Sequence, residues 1–325
     1  MRYSISSRFG ATFVGAVIGE TIGSSKGVSP RRFSYPNAIK PHQEKPLDRR
    51  VEQQKYPVAA KYLGGRLAII GAERLIKLGR FDLDDWHDAF TKDLLAQDVI
   101  NCNPTIAILA TLPIALFYHE SEIKLRQNLQ LALKAVGQDD AMIRDRALAV
   151  GYAIALSLNE KINPATLIPQ VITFLGEPQT QITQQLLQVQ TLLNQQAGLE
   201  RAIAVSRDAT TPIALAFYCF LSSLEDFRLS TLRAAQTSYQ PQITTAIVGA
   251  LSGAYNSISG IPISWRMALL RFEKQQAGWE TTEVEMLQVS DALVSVWSGV
   301  YDQVTHPTDS NSVAAIASPR VIKPR

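Results

Sequence analysis

Between Ile243 and Trp265 the chain reads ITTAIVGALSGAYNSISGIPISW, a stretch that is apolar, dense in small residues and free of charged side chains. Thr245, Gly249 and Gly253 recur at four-residue spacing, as do Ala246, Ala250 and Ala254. Residues four apart share one face of a helix, so the two rows make a smooth groove against which a neighbouring backbone can pack closely. This pattern predicts a central buried helix. A membrane span needs roughly 20 apolar residues. Thr244, Asn256, Ser257 and Ser259 interrupt such a run here, and Gly260 followed by Pro262 ends the segment as a soluble helix ends.

The string AIVGALSGAY, followed by Gly260-Ile261-Pro262 and then Trp265, resembles the C-terminal core helix of the ADP-ribosylglycohydrolase family. The resemblance implies an all-α, single multi-helix domain. It also implies removal of ADP-ribose from protein side chains or small molecules with two divalent cations, Mg²⁺ or Mn²⁺. In the family a Gly-Asp-Thr-Asp-Thr loop supplying metal-binding carboxylates stands just before this helix. The same positions here are Tyr239, Gln240, Pro241, Gln242 and Ile243, without either carboxylate.

Composition narrows the classes. A chain of 325 residues that is 46% hydrophobic can bury a large core. Its net charge of +3, with basic residues scattered apart from Arg31-Arg32 and Arg49-Arg50, argues against a nucleic-acid partner. The two cysteines, Cys102 and Cys219, lack the spacing of a zinc site or a disulfide framework and read as buried structural thiols. Gly19, Glu20 and Gly23 break the first apolar segment, so a signal peptide is not expected and a cytoplasmic location is.

Along the chain, Phe9, Phe13, Val17 and Ile18 line one helical face and Gly15, Gly19 and Gly23 a second, which predicts another close-packed helix. RFGATFVGAVIGETIG resembles the opening helix of the same family, where a Gly-Asp pair stands at Gly19 and Glu20. Glu20 thereby becomes the one residual candidate for a ligand or base role, since Glu can replace Asp as an oxygen ligand. The competing reading is a surface Glu near a helix C-terminus. Residues 24–57 hold prolines at 30, 36, 41, 46 and 57 and read as a loop within the domain, with Arg31 to Tyr35 a mixture of basic and aromatic residues. A helical period returns from Ala59, with Leu63, Leu67, Ile70, Leu75 and Leu78 on one face and Gly79 as its stop. In the family a Thr-Asp-Asp-Thr metal loop falls about where Tyr62, Leu63, Gly64 and Gly65 lie.

Asp82, Asp84, Asp85 and Asp88 could suggest a metal, but they fit the cap and first turn of the next helix, with Trp86 and Phe90 turned inward. Thr105 to Tyr118 is apolar throughout and predicts one buried core helix. The family's ADP-ribose motif Gly-Asn-Gly-Ala-Ala-Met-Arg maps here to Pro104, Thr105 and Ile106 at the glycine loop and Ala110 at the Arg. Two helices follow within Glu120 to Asn159, separated near Gly137 and capped by Asp139 and Asp140. Ile182, Leu186, Val189 and Leu193 form a heptad-like stripe on a Gln-rich helix, packed on the body or presented to a partner helix. The final helix opens with a capping box at Thr282 to Glu285 and buries Met286, Val289, Leu293, Val296 and Val300. The domain is expected to span 1–304, with 305–325 a disordered tail.

His42, His87, His119 and His306 do not combine with a Ser or Cys and an acid in a pattern that would support nucleophilic catalysis. No catalytic or metal-binding set is therefore assigned beyond Glu20, and no cofactor is expected. The preferred reading is an ADP-ribosylglycohydrolase-like binding or scaffold protein, contacting a protein partner or an ADP-ribose-like ligand. The alternative is an active Mg²⁺- or Mn²⁺-dependent hydrolase with rearranged ligands.

Overall fold

The computed structural model describes residues 3–24, 63–176, 180–205, 212–237, 240–273 and 282–300. Among these residues the chain is helical with no strand. In chain order the helices are α1 (Ile5–Ser24), α2 (Leu63–Leu78), α3 (Leu83–Lys92), α4 (Leu94–Cys102), α5 (Ala107–Ala110), α6 (Leu112–Phe117), α7 (Glu122–Ala135) and α8 (Ala141–Leu158). They continue as α9 (Leu167–Leu175), α10 (Gln181–Asn194), α11 (Leu199–Val205), α12 (Pro212–Leu221), α13 (Phe227–Ala235), α14 (Pro241–Gly260), α15 (Ile263–Glu273) and α16 (Glu283–Ser298). No helix among the described residues is long and apolar enough to cross a membrane.

The body is organised around α1 and α14. Every residue from Arg8 to Gly23 is buried, so α1 is enclosed on all faces as only a core helix can be. The glycine rows read from the sequence are the contact. A Cβ on Gly15 would lie 2.3 Å from the Gly249 carbonyl oxygen, and one on Gly249 would lie 1.9 Å from that of Gly15. Gly19 meets the Thr245 carbonyl in the same way, and Gly253 that of Ala11. As one residue number rises the other falls, so the helices run antiparallel with their backbones touching along the seam. No residue with a side chain fits these positions without moving a helix. Around this pair, α12, α13 and α8 pack on α14, while α16 and α2 pack on α1.

Local chemistry sets the helix ends. Asp82 accepts from the Asp85 N–H and starts α3, and Trp86 and Phe90 point into the core at 1% exposure each. Asp140 accepts from the Met142 and Ile143 N–H groups and starts α8, a cap that Asp139 does not share. Thr282 and Glu285 form the expected reciprocal box. Arg8, buried within α1, donates to the Ser157 and Leu158 carbonyls at the end of α8 and pairs with Glu160 at 2.9 Å. This adds a donor to the carbonyls that end the helix, of which that of Ser157 also accepts from the Glu160 N–H, and places positive charge at a helix C-terminus.

Three expectations are corrected. Thr105 to Tyr118 is buried but is not one helix: a 3₁₀ turn (Pro104–Ile106) runs into α5, and α6 starts again after Thr111. Pro113 lacks an N–H and its ring collides with the carbonyl four residues back, which interrupts a helix whatever its hydrophobicity. Val300 lies beyond the Gly299 cap of α16 and is 60% exposed, while Glu283 and Ser290 join Met286 and Leu293 on the buried face. Gly299 adopts φ 78°, which ends the helix before Val300 can extend the stripe. The third correction concerns Glu20 and is taken up with the site.

The Gln-rich α10 buries Ile182, Leu186 and Val189 against the body, and its Leu187 is exposed on the outer side. The stripe therefore faces inward. The expected loop 24–57, Arg31 to Tyr35 within it, His42, the helical residues expected from Ala59 to Tyr62, and the tail 305–325 with His306 lie outside the described residues, apart from Ser24 at the end of α1.

Candidate functional site

Glu20 sits in the last turn of α1 and is 1% exposed, which overturns the surface reading. The reason is the packing: α14 covers α1 on one side and α2 covers it on another, and every residue of α1 from Arg8 to Gly23 is buried. Its carboxylate meets donors from two other helices. The Gly64 N–H donates to Oε1 at 3.1 Å, the Gly65 N–H donates to Oε2 at 3.2 Å, and Gln242 Nε2 donates to Oε1 at 3.0 Å.

Each donor follows from local sequence. Gly64 and Gly65 open α2, where the first backbone N–H groups have no partner within the helix. A carboxylate there satisfies them and complements the positive end of the helix. Glycine is required because the backbone approaches so closely: a Cβ on Gly64 would fall 2.2 Å from Leu109 Cδ1 and 3.1 Å from Glu20 Oε2. Gln242 lies in the first turn of α14, which starts with Pro241 at its first position after Gln240 in a left-handed conformation (φ 42°, ψ 52°). Glu20, Gly64-Gly65 and Gln242 are thus brought together from three distant stretches.

These are the three places at which the family resemblance puts metal-binding carboxylates, and the fold does converge them. A dinuclear Mg²⁺ or Mn²⁺ centre needs several oxygen ligands around each ion. The residues present do not fit one. Glu20 is the only carboxylate of the set, both of its oxygens are engaged by N–H donors, and the amide of Gln242 presents a donor to it. No group of three or more His, Cys, Asp or Glu able to hold a metal lies among the described residues.

The positions matching the ADP-ribose motif do not offer its groups either. Asn103 caps the 3₁₀ turn by accepting from the Thr105 N–H at 3.2 Å, Pro104 has no N–H, and Thr105, Ile106 and Ala110 are buried in the core. No glycine loop or Arg is offered there.

The other candidate chemistry has structural uses. Asp82 is the α3 cap, Asp85 lies near Arg74 and Lys77, and exposed Asp88 pairs with Lys92, whose hydrogen bond and charge hold its carboxyl below the usual range. His87 contacts the Ala135 carbonyl, and His119 is buried between Phe9 and Trp297 with its Nδ1 on the Leu116 carbonyl. Cys219 is buried, and desolvation pushes its thiol up to about 12, the opposite of an activated nucleophile. Cys102 ends α4, and its side chain lies outside the described residues.

Comparison with known proteins places this arrangement in context. The family model described as ADP-ribosylglycohydrolase matches residues 78–303, more than half of the chain. A solved structure described as "ADP-ribosylglycohydrolase-related protein complex" superposes with a TM-score of 0.56 at 17% identity, over 90% of this chain and 99% of that one. At that identity the likeness carries the fold. No curated protein matches the chain.

Proposed function

The chain belongs to the ADP-ribosylglycohydrolase family, and we propose that in this member the catalytic centre has become a structural joint, leaving a binding or scaffold module. The observation that carries the reading is the Glu20 carboxylate. Buried and bonded to the Gly64 and Gly65 N–H groups and the Gln242 amide, it ties α1, α2 and the start of α14 together. A buried carboxylate is costly unless hydrogen-bonded, and three donors supply that compensation. The same donors compete directly with any cation for the oxygen lone pairs.

Two partner classes follow: a protein surface, or an ADP-ribose-like ligand held without hydrolysis. A cytoplasmic setting belongs to the same reading, and Cys219, buried and unpaired, is compatible with a reducing compartment.

Calorimetric titration of metal-stripped protein with Mg²⁺ and with Mn²⁺, each with and without ADP-ribose, tests the reading. The expected result is no saturable metal heat. Heat with ADP-ribose alone would identify a reader without chemistry, and none would direct the search to protein partners. Saturable binding of metal that is lost in Glu20→Gln would overturn the joint and restore a hydrolase.

A further inference from the structure

Far along the chain from Glu20, a pocket of about 500 Å³ opens between the end of α10, the turn into α11, the end of α12 and the side of α13. That volume suits a small molecule. One charged side chain lines it, the Arg233 guanidinium, and no carboxylate does. Arg233 is half-buried, and among the described residues it makes no ion pair.

Its geometry is asymmetric. Nη1 donates to the Ser222 carbonyl at 3.0 Å and to the Ser222 hydroxyl at 2.9 Å, which places the cation over the C-terminal end of α12. Capping that end explains why an Arg stands here but uses a single nitrogen. Nε and Nη2, the other edge of the fork, meet no acceptor among the described residues. Those two N–H groups point the same way and match the two oxygens of a carboxylate.

The rest of the pocket is neutral. Tyr218 is buried and its hydroxyl donates to the Ala197 carbonyl, while Leu193 and Leu221 add apolar wall. Burial raises the Tyr218 pKa, so the phenol adds no negative charge. We propose that this pocket binds a small organic acid, its carboxylate paired with the Nε/Nη2 edge of Arg233 and its apolar body against Leu193, Leu221 and Tyr218. One cation without a second matches a monoanion better than a phosphate dianion. The larger cleft of about 640 Å³ by α7 and α9 lacks this selectivity, because Glu122 lines it beside Arg126, whose guanidinium lies over the Phe174 ring at 4.5 Å. The proposal does not depend on the state of the Glu20 joint.

Saturation-transfer NMR on the full chain, with benzoate and the isosteric neutral benzamide as probes, tests it. Benzoate is expected to bind saturably, and benzamide at least about tenfold more weakly, the ratio expected for losing a charge-assisted bidentate pair. Arg233→Met should abolish the preference. Arg233→Lys keeps the charge but not the fork and should lose benzoate affinity at least about tenfold while the variant still unfolds in a single cooperative transition. Equal binding of the two probes, unchanged benzoate affinity in Arg233→Lys, or no saturable carboxylate binding would each overturn the assignment. Inorganic phosphate displacing benzoate at equal concentration would overturn the carboxylate class.

Discussion

The middle of the α1–α14 pair and its end at Glu20 are joined by the same two helices yet held by different forces. In the middle, Gly15 and Gly249 bring carbonyl groups against backbone, and the contact is governed by shape. At the end, one carboxylate gathers three N–H donors, and the contact is governed by satisfying buried polar groups. The seam has no tolerance for added atoms; the joint has none for lost acceptors. The seam is built of small residues and backbone alone, so it fixes the relation of α1 to α14 without drawing on the Glu20 carboxylate.

The largest effect should come from the seam. In Gly249→Val the new side chain must displace the Gly15 carbonyl, which forces the helices apart along their length, and a loss of more than about 4 kcal/mol is expected in urea unfolding. A variant within about 1 kcal/mol of the parent would show that the backbones are not in contact.

Next comes the joint. Glu20→Ala leaves the Gly64 and Gly65 N–H groups and the Gln242 amide without this acceptor, at a cost of about 3 kcal/mol, whereas Glu20→Gln retains an acceptor and should lose about half of that. Thermal melts of the two variants separate the cases. If both match the parent, the carboxylate is not a joint and the contrast with the seam collapses. Gln242→Leu removes one of three donors and should cost about 1 kcal/mol, with no change in the slope of the urea transition. A loss as large as that of Glu20→Ala would mean that Gln242 positions α14 by itself.

The legible and illegible parts of the sequence divide along the same line. The glycine rows, the Asp82 and Asp140 caps and the Thr282 box were readable because each depends on residues within one or two turns of each other. The break at Thr111 was also local, and Pro113 was its signal inside an apolar run read as one helix. Glu20 was readable as a candidate through its place beside Gly19, but its burial and partners were not, since Gly64, Gly65 and Gln242 are distant in the chain. A glycine pair opening a helix is a generic signal for exposed N–H groups, and it could have prompted the search for an acceptor.

Arg233 left no signal at all. Its value as a cation depends on Ser222 taking one nitrogen and on no acid standing near the others, and the second is an absence that only three-dimensional placement creates. The sequence by itself determined the all-α class, the family resemblance and the two helices with close-packing faces, because small residues at helical spacing leave a groove that a neighbouring backbone can enter. That those two helices pack on each other was decided by the fold. Only the tertiary structure decided that Glu20 is buried against the Gly64 and Gly65 N–H groups and the Gln242 amide, and that Arg233 lines a pocket with its Nη1 held by Ser222. Hydrogen-bond satisfaction acts over a few ångströms whatever the separation in sequence, so the fate of a buried charge is settled by which distant segments the fold brings to it.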